Sequence, residues 1–304
     1  MAFSILYSTI CRGKWFLSLR EAETSLPLAA KLMTGDINTQ MDGKLSDRKP
    51  LLRSYLAQGD VQAKSGNSFK DASPGSTAVI PLHGTMLKYG TWCAYGTTEI
   101  ADLIREAADS SNISSVVLDV DSGGGAVDAI APVIDALDYV KSKGKARVAH
   151  VDLCASAAYF SACACDKIIA SNTISAELGS IGVMMQFPDY AEYYEKAGIK
   201  VHTIYSNLSD YKNAPFEAAR KGDYKSIKDE ELDPLARGFQ DYVKAHRQNL
   251  KLDTEGILRG RMFYAAEAVE VGLADATGTL DYAIKCANEI NAQATVNEYI
   301  NTKL

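Results

Sequence analysis

The sequence predicts an α/β fold with a mostly parallel sheet and a helical C-terminal part, on two observations. From Thr77 onward, short apolar runs rich in β-branched residues alternate with stretches of helical period, which is the pattern of βαβ units. The runs are nearly continuous in apolar character, not alternating with polar residues, as expected of strands buried on both faces.

In order, the runs are Ala78–Leu82, Ser115–Val120, Arg147–Val151 and Lys167–Ala170. Between the first two, Ile100, Leu103, Ile104 and Ala107 fall at i, i+3, i+4, i+7 and predict a helix. Between the second and third, Ile130, Ile134, Leu137 and Lys141 predict another, with Gly144 just past its end. Pro132 fits there only in the first turns or as a kink. Beyond Pro215 the chain turns charged and helical, with Leu235, Phe239, Val243 and Leu250 at helix-like spacing. Ahead of Thr77, residues 44–76 are rich in Gly, Ser and polar side chains with no sustained apolar period, and read as a flexible linker. The linker separates an N-terminal arm (residues 1–43), where Leu26, Leu28, Ala29, Leu32 and Met33 predict a short helix, from a main domain at 77–290. Residues 291–304 read as a tail.

With 304 residues, 47% of them hydrophobic, the chain is large enough for a real core. A formal net charge of −6 supplies no basic footprint, so nucleic acid is not an expected partner. Cys11, Cys93, Cys154, Cys163, Cys165 and Cys286 show no paired C-x-x-C spacing. They read as small buried apolar residues in a reducing compartment, and neither metal nor cofactor is expected. The uncharged run Ala2–Cys11 is followed, not preceded, by Arg12 and Lys14, the reverse of a secretory signal. No stretch reaches the roughly 20 apolar residues of a membrane span, so a cytoplasmic location without a membrane partner is expected.

Two turns carry the candidate chemistry. Asp121-Ser122-Gly123-Gly124-Gly125 ends a predicted strand and opens a predicted helix, where bare backbone N–H groups suit an oxyanion or phosphate. Taken alone, it reads equally well as a tight turn without a ligand. Ala155-Ser156-Ala157-Ala158 follows the next predicted strand; a serine there is most simply a helix N-cap. Jointly the two turns lie at one edge of a parallel sheet, where α/β proteins bind ligands. Gly124 N–H and Ala157 N–H then become oxyanion donors, Ser156 a nucleophile, and Gly123, Gly125 and Ala155 room for a substrate backbone. Of the candidate bases, His83 and His150 fall on or beside strands and His246 on a charged helix, whereas a desolvated lysine is a workable alternative.

The ordered set DSGGG (121–125), ASAAYF (155–160), CDKIIA (165–170), YKNAPF (211–216) and GRMFYAAEAVEVGLAD (260–275) resembles the signal peptide peptidase A family of serine peptidases. The resemblance implies a ClpP/crotonase-like fold and a Ser–Lys dyad of Ser156 and Lys212, 56 residues apart, with Lys225 and Lys228 as weaker alternatives for the base. The stretch around Ile181 carries no histidine where related ClpP proteases have theirs. Alanines at 157 and 158 replace the family's usual glycines, and Gly123 replaces a common proline. The segment beginning RGKWFLSLREAE is similar to that of phage members, which implies a prohead protease acting on scaffold, portal or capsid proteins, assembled as a homo-oligomer. A soluble enzyme degrading cleaved signal peptides, a crotonase-type acyl-CoA enzyme and an inactive assembly scaffold are the alternatives.

Overall fold

A computed structural model describes residues 14–17, 52–58, 60–66, 68–90, 94–187 and 189–303. Among them the strands are β1 (Lys14–Leu17), β2 (Leu52–Gln58), β3 (Asp60–Gly66), β4 (Ser76–His83), β5 (Ile113–Ser122), β6 (Gly124–Ala126), β7 (Ala146–Ala155), β8 (Lys167–Ala170), β9 (Glu177–Gly179), β10 (Met184–Met185), β11 (Met262–Tyr264) and β12 (Ala276–Thr277). The helices used below are α1 (Thr97–Asp109), α2 (Ile130–Ser142), α3 (Ala157–Ala162), α4 (Ala191–Lys196), α5 (Ala214–Arg220), α6 (Asp233–His246), α7 (Ala265–Glu270) and α8 (Leu280–Lys303).

The main sheet runs β11-β9-β7-β5-β4-β2-β3, with β8 beside β7 and β12 beside β8. Its centre, β4, β5, β7, β8 and β12, is parallel. The unbroken apolar runs follow from burial on both faces. Ile80, Leu118, Val120, Val151 and Ile168 belong to the core under α1, α2 and α3, while Val79, Val117, Val148 and Ile169 pack under Ala283, Ile284 and Ala287 of α8. Pro132 sits in the first turn of α2, where its missing N–H has no intrahelical acceptor to lose, and Gly144 has φ +72° just past the helix end.

Two readings of the chain ends differ from the structure. Residues 52–66 lie inside the expected linker, yet β2 pairs antiparallel with β3 and with β4. β3 is the edge strand of the sheet, and of its seven residues only Val61 and Ala63 are apolar, so composition hides the hairpin. The expected tail from residue 291 continues α8 as far as Lys303, since nothing between Asn291 and Lys303 is Gly or Pro to stop it. The helix expected near Leu26–Met33 lies outside the described residues, whereas β1 of the same arm pairs with β6 and β10 of its own chain.

The family-like motifs outside the two turns hold the frame. Tyr159 is fully buried and its hydroxyl donates to the Leu273 carbonyl at 2.9 Å. Asp275 takes both Arg247 guanidinium nitrogens (2.9 and 3.0 Å) and the Ile168 N–H (2.7 Å), locking α6 to β8. Phe160 stacks on Tyr242 and tilts against Phe239, tying α3 to α6. Cys154, Cys163 and Cys165 are buried, and burial pushes the last two thiols up to about 12, so they are inert packing groups.

On the face covered by α8, Asp119 is one alternation beyond Val117. It accepts from His150 Nδ1 at 3.0 Å and lies 3.4 Å from His83 Nε2. Burial alone would raise the Asp119 carboxyl, but the hydrogen bonds from both histidines outweigh it and hold it well below the usual range. The same contact raises His83 against its own desolvation. The Asp119 contribution to stability is present above its unfolded value and is lost as pH falls through the lower folded one. The His83 contribution is complete below its unfolded value and is lost as pH rises through the folded one. The Tm advantage of wild type over Asp119→Asn is therefore expected to peak between about pH 4 and pH 6.5 and to shrink on either side. A difference that stays constant from acid to alkaline pH in thermal scans would contradict this.

Candidate active site

Strand β7 delivers Ser156 at its C-terminal end, and α3 starts on the next residue. Ser156 has φ +55° and ψ −115°, is 1% exposed, and its side chain makes no capping bond, which removes the N-cap interpretation. A non-glycine residue held there costs about 1–3 kcal/mol, which the surroundings must supply. They do so from the 179–182 stretch: Ser156 N–H donates to the Gly179 carbonyl at 2.9 Å and its Oγ donates to the Gly182 carbonyl at 3.3 Å. A strained strand-to-helix turn of this kind aims a serine hydroxyl out of the sheet edge. Ala157, the first residue of α3, has no intrahelical acceptor for its N–H. Ala155 is fully buried in register with Gly179, so it belongs to the sheet beneath the serine instead of to an open binding surface.

The glycine turn is brought beside this serine, because Ser122 on β5 is the register partner of Cys154 on β7, two residues before Ser156. Its glycines lead into β6 and a short 3₁₀ turn before α2 begins, so the expected direct junction with a helix N-terminus is replaced by a strand. Gly124 has φ +99° and its N–H donates to Ser122 Oγ at 3.1 Å, while that hydroxyl donates to the Gly84 carbonyl at 2.5 Å. Sequence reading gave Ser122 no role; here it holds the candidate oxyanion donor in place. Gly123 is buried at the join between β5 and β6.

Gly125 lies against Met86, which donates its N–H to the Gly124 carbonyl and accepts from Ala126 N–H. A Cβ on Gly125 would stand 2.0 Å from the Met86 carbonyl oxygen. Gly125→Ala must therefore push the turn away from Met86. The expected result is a folded or marginally folded protein whose peptide turnover falls by at least about ten-fold, since a displacement of about 1 Å at an oxyanion donor is costly. Near-normal kcat/KM for this variant would show that the close approach does not position the turn.

The expected base, Lys212, is exposed. It lies in the turn ahead of α5, and its side chain has no hydrogen-bond or ion-pair partner among the described residues, in contrast to the dry pocket that a lysine base requires. Lys225 is exposed and paired with Asp229, whose hydrogen bond raises its pKa, the wrong direction for a base. Lys228 is exposed as well. Burial does lower Lys145, but its Nζ caps the end of α1 on the Ala107, Ala108 and Ser110 carbonyls. Lys145 precedes β7 and Ser156 follows it, about 33 Å apart along an extended ten-residue strand. His83 and His150 are engaged with Asp119, and His246 donates from Nδ1 to the Tyr242 carbonyl. In the stretch that carries no histidine, Ile181 is fully buried and the Gly182 carbonyl accepts from Ser156 Oγ.

Comparison with known proteins places the sequence in a family. The sequence model of peptidase family S49 matches residues 140–295, just over half the chain and inclusive of Ser156 and Lys212. "Protease 4" of Haemophilus influenzae is 27% identical over 221 residues, covering 71% of this chain and 35% of its own length. "Capsid assembly protease C" of Escherichia phage lambda is 25% identical over 259 residues, covering 82% of this chain and 56% of its own length. The chain thus spans between about a third and just over half of these relatives. Among solved structures, the membrane-bound stomatin-specific protease 1510-N with a substrate peptide superimposes with a TM-score of 0.43 at 15% identity, over 71% of this chain and 80% of that one.

Proposed function

The chain belongs to peptidase family S49, and from that premise we propose that it is a serine endopeptidase whose nucleophile is Ser156. The observation that carries the proposal is the buried, strained and uncapped Ser156, with the N–H of Ala157 on one side and the glycine turn on the other. In the proposed reaction Ser156 Oγ attacks a peptide carbonyl whose developing oxyanion is taken by the N–H groups of Ala157 and Gly124. The second donor becomes available when Ser122 Oγ yields it. Lys212 is the proposed base, as the family resemblance implies.

An exposed lysine cannot serve in an isolated subunit, so the base is delivered by assembly. Around Lys212 the chain exposes a run of large apolar side chains that a lone subunit leaves in water: Val201, Ile204 (90% exposed), Leu208 (93%) and Tyr211 (81%). A second copy of the chain, packed on this run, would bury Lys212 and bring it to a neighbouring Ser156. The substrate is an extended segment, and the 25% identity to a capsid assembly protease supports scaffold, portal or capsid proteins of a phage as the natural targets, cut in the host cytoplasm. No helix among the described residues is long and apolar enough to cross a membrane.

The test is labelling with a serine-directed phosphonate together with turnover assays on denatured casein and on an acyl-CoA thioester. One phosphonyl group on Ser156 and cleavage of casein are expected. Thioester turnover without peptide cleavage would favour the acyl-CoA alternative, and absence of both would favour an inactive scaffold.

A further inference from the structure

Strand β1 fills the gap between the two segments that frame Ser156. Its register partners on β6 are Ala126 for Trp15, Gly125 for Phe16 and Gly124 for Leu17; those on β10 are Met185 for Lys14 and Met184 for Trp15. Both pairings are antiparallel, and together they make the three-stranded sheet β10-β1-β6. β6 begins at Gly124, the candidate oxyanion donor, and β10 begins two residues after Gly182, whose carbonyl accepts Ser156 Oγ. Without β1, two parallel edges would face each other about 9–10 Å apart, twice the ordinary strand spacing and the width of one extended peptide. Met86 takes up the Gly124 carbonyl and the Ala126 N–H, so by strand alternation Gly125 N–H and C=O point to the other edge, where Phe16 is the partner.

We propose that this gap is the peptide-binding groove and that residues 14–17 occupy it as the chain's own first substrate, to be cut on the carboxyl side of Phe16. The pairing sets the bond. β1 runs from Lys14 toward Leu17, Gly125 turns its N–H toward β1, and its register partner there is Phe16. The carbonyl held at the glycine turn is therefore that of Phe16, with Trp15 and Lys14 held along β6 and β10 by main-chain pairing, the ordinary way an extended peptide joins a sheet edge. For this bond the groove-facing N–H of Gly125 serves as oxyanion donor, since Gly124 N–H is turned away to Ser122 Oγ. The proposal rests on Ser156 as nucleophile. Ser156 Oγ adds to the Phe16 carbonyl carbon while its proton passes to the base; the bond to the Leu17 nitrogen breaks and that amine takes the proton. Water then hydrolyses the Phe16 ester, freeing the carboxylate and restoring the hydroxyl. Until that cut the strand excludes other peptides, and release of residues 1–16 opens the groove.

The experiment follows the full-length chain by intact mass and N-terminal sequencing, beside cleavage of denatured casein and of a synthetic peptide carrying residues 12–23. Expected are loss of residues 1–16 with Leu17 as the new N-terminus, full retention in Ser156→Ala, and cutting of the synthetic peptide after its phenylalanine. Phe16→Pro removes a strand N–H and is expected to slow the release by about ten-fold, with circular dichroism confirming the fold and earlier onset of casein cleavage by the full-length chain. A wild-type protein that degrades casein yet keeps residues 1–16, or is cut elsewhere, and leaves the synthetic peptide whole overturns the strand's assignment. A wild-type protein that cleaves no peptide at all overturns the peptidase function on which it rests.

Discussion

Alanine at position 156 is expected to lower kcat/KM for an unstructured peptide by roughly ten-thousand-fold or more, with little change in stability. The hydroxyl makes one long hydrogen bond, 3.3 Å to the Gly182 carbonyl, and does not cap α3, so its removal costs stability at most about 1 kcal/mol. The backbone strain at φ +55° is the same for alanine as for serine. Ser156→Gly, by contrast, relieves that strain and is expected to be more stable than Ser156→Ala while equally inactive. Loss of activity with unchanged or improved stability separates a nucleophile from a structural serine. Substantial cleavage by folded Ser156→Ala, measured against a protein checked free of contaminating protease, would remove Ser156 from the chemistry.

The central sheet was legible because β4, β5, β7 and β8 are buried on both faces, and double burial writes itself as continuous apolar runs such as SVVLDV and KIIA. The same rule hid the rest. β6, β9, β10, β11 and β12 are two or three residues long, too short for any period to show, and their places come from pairing with distant partners. The β2–β3 hairpin is an edge with polar composition and resembled a linker. In the candidate site the two turns could be read, since small residues at strand ends are a local signal. The φ of Ser156, the Ser122 Oγ that engages Gly124, and the passage of Gly125 against the Met86 backbone depend on long-range packing, and no local pattern encodes them. The occupation of the gap between β6 and β10 by residues 14–17 is of the same non-local kind.

Lys212→Arg is expected to abolish peptide cleavage as completely as Lys212→Ala. A lysine at its ordinary pKa is neutral in only about one molecule in 2,500 at pH 7, so a working base must be desolvated, and a guanidinium stays protonated in any such pocket. Because Lys212 is exposed in the single chain, the proposed desolvation comes from assembly, and that proposal predicts complementation. Ser156→Ala and Lys212→Ala chains are each inactive alone. Co-assembled in equal amounts, they place an intact serine beside a neighbour's intact lysine at about a quarter of the sites, so about a quarter of wild-type activity is expected. A site built within one chain gives none, since no chain in the mixture carries both groups. Activity of the wild type should also rise with protein concentration as assemblies form, and should rise with pH through an apparent value well below 10.4 when acylation limits kcat/KM. Inactive mixtures together with full activity at a single-chain mass by light scattering would place the base within the chain; substantial cleavage by folded Lys212→Ala would exclude Lys212 altogether.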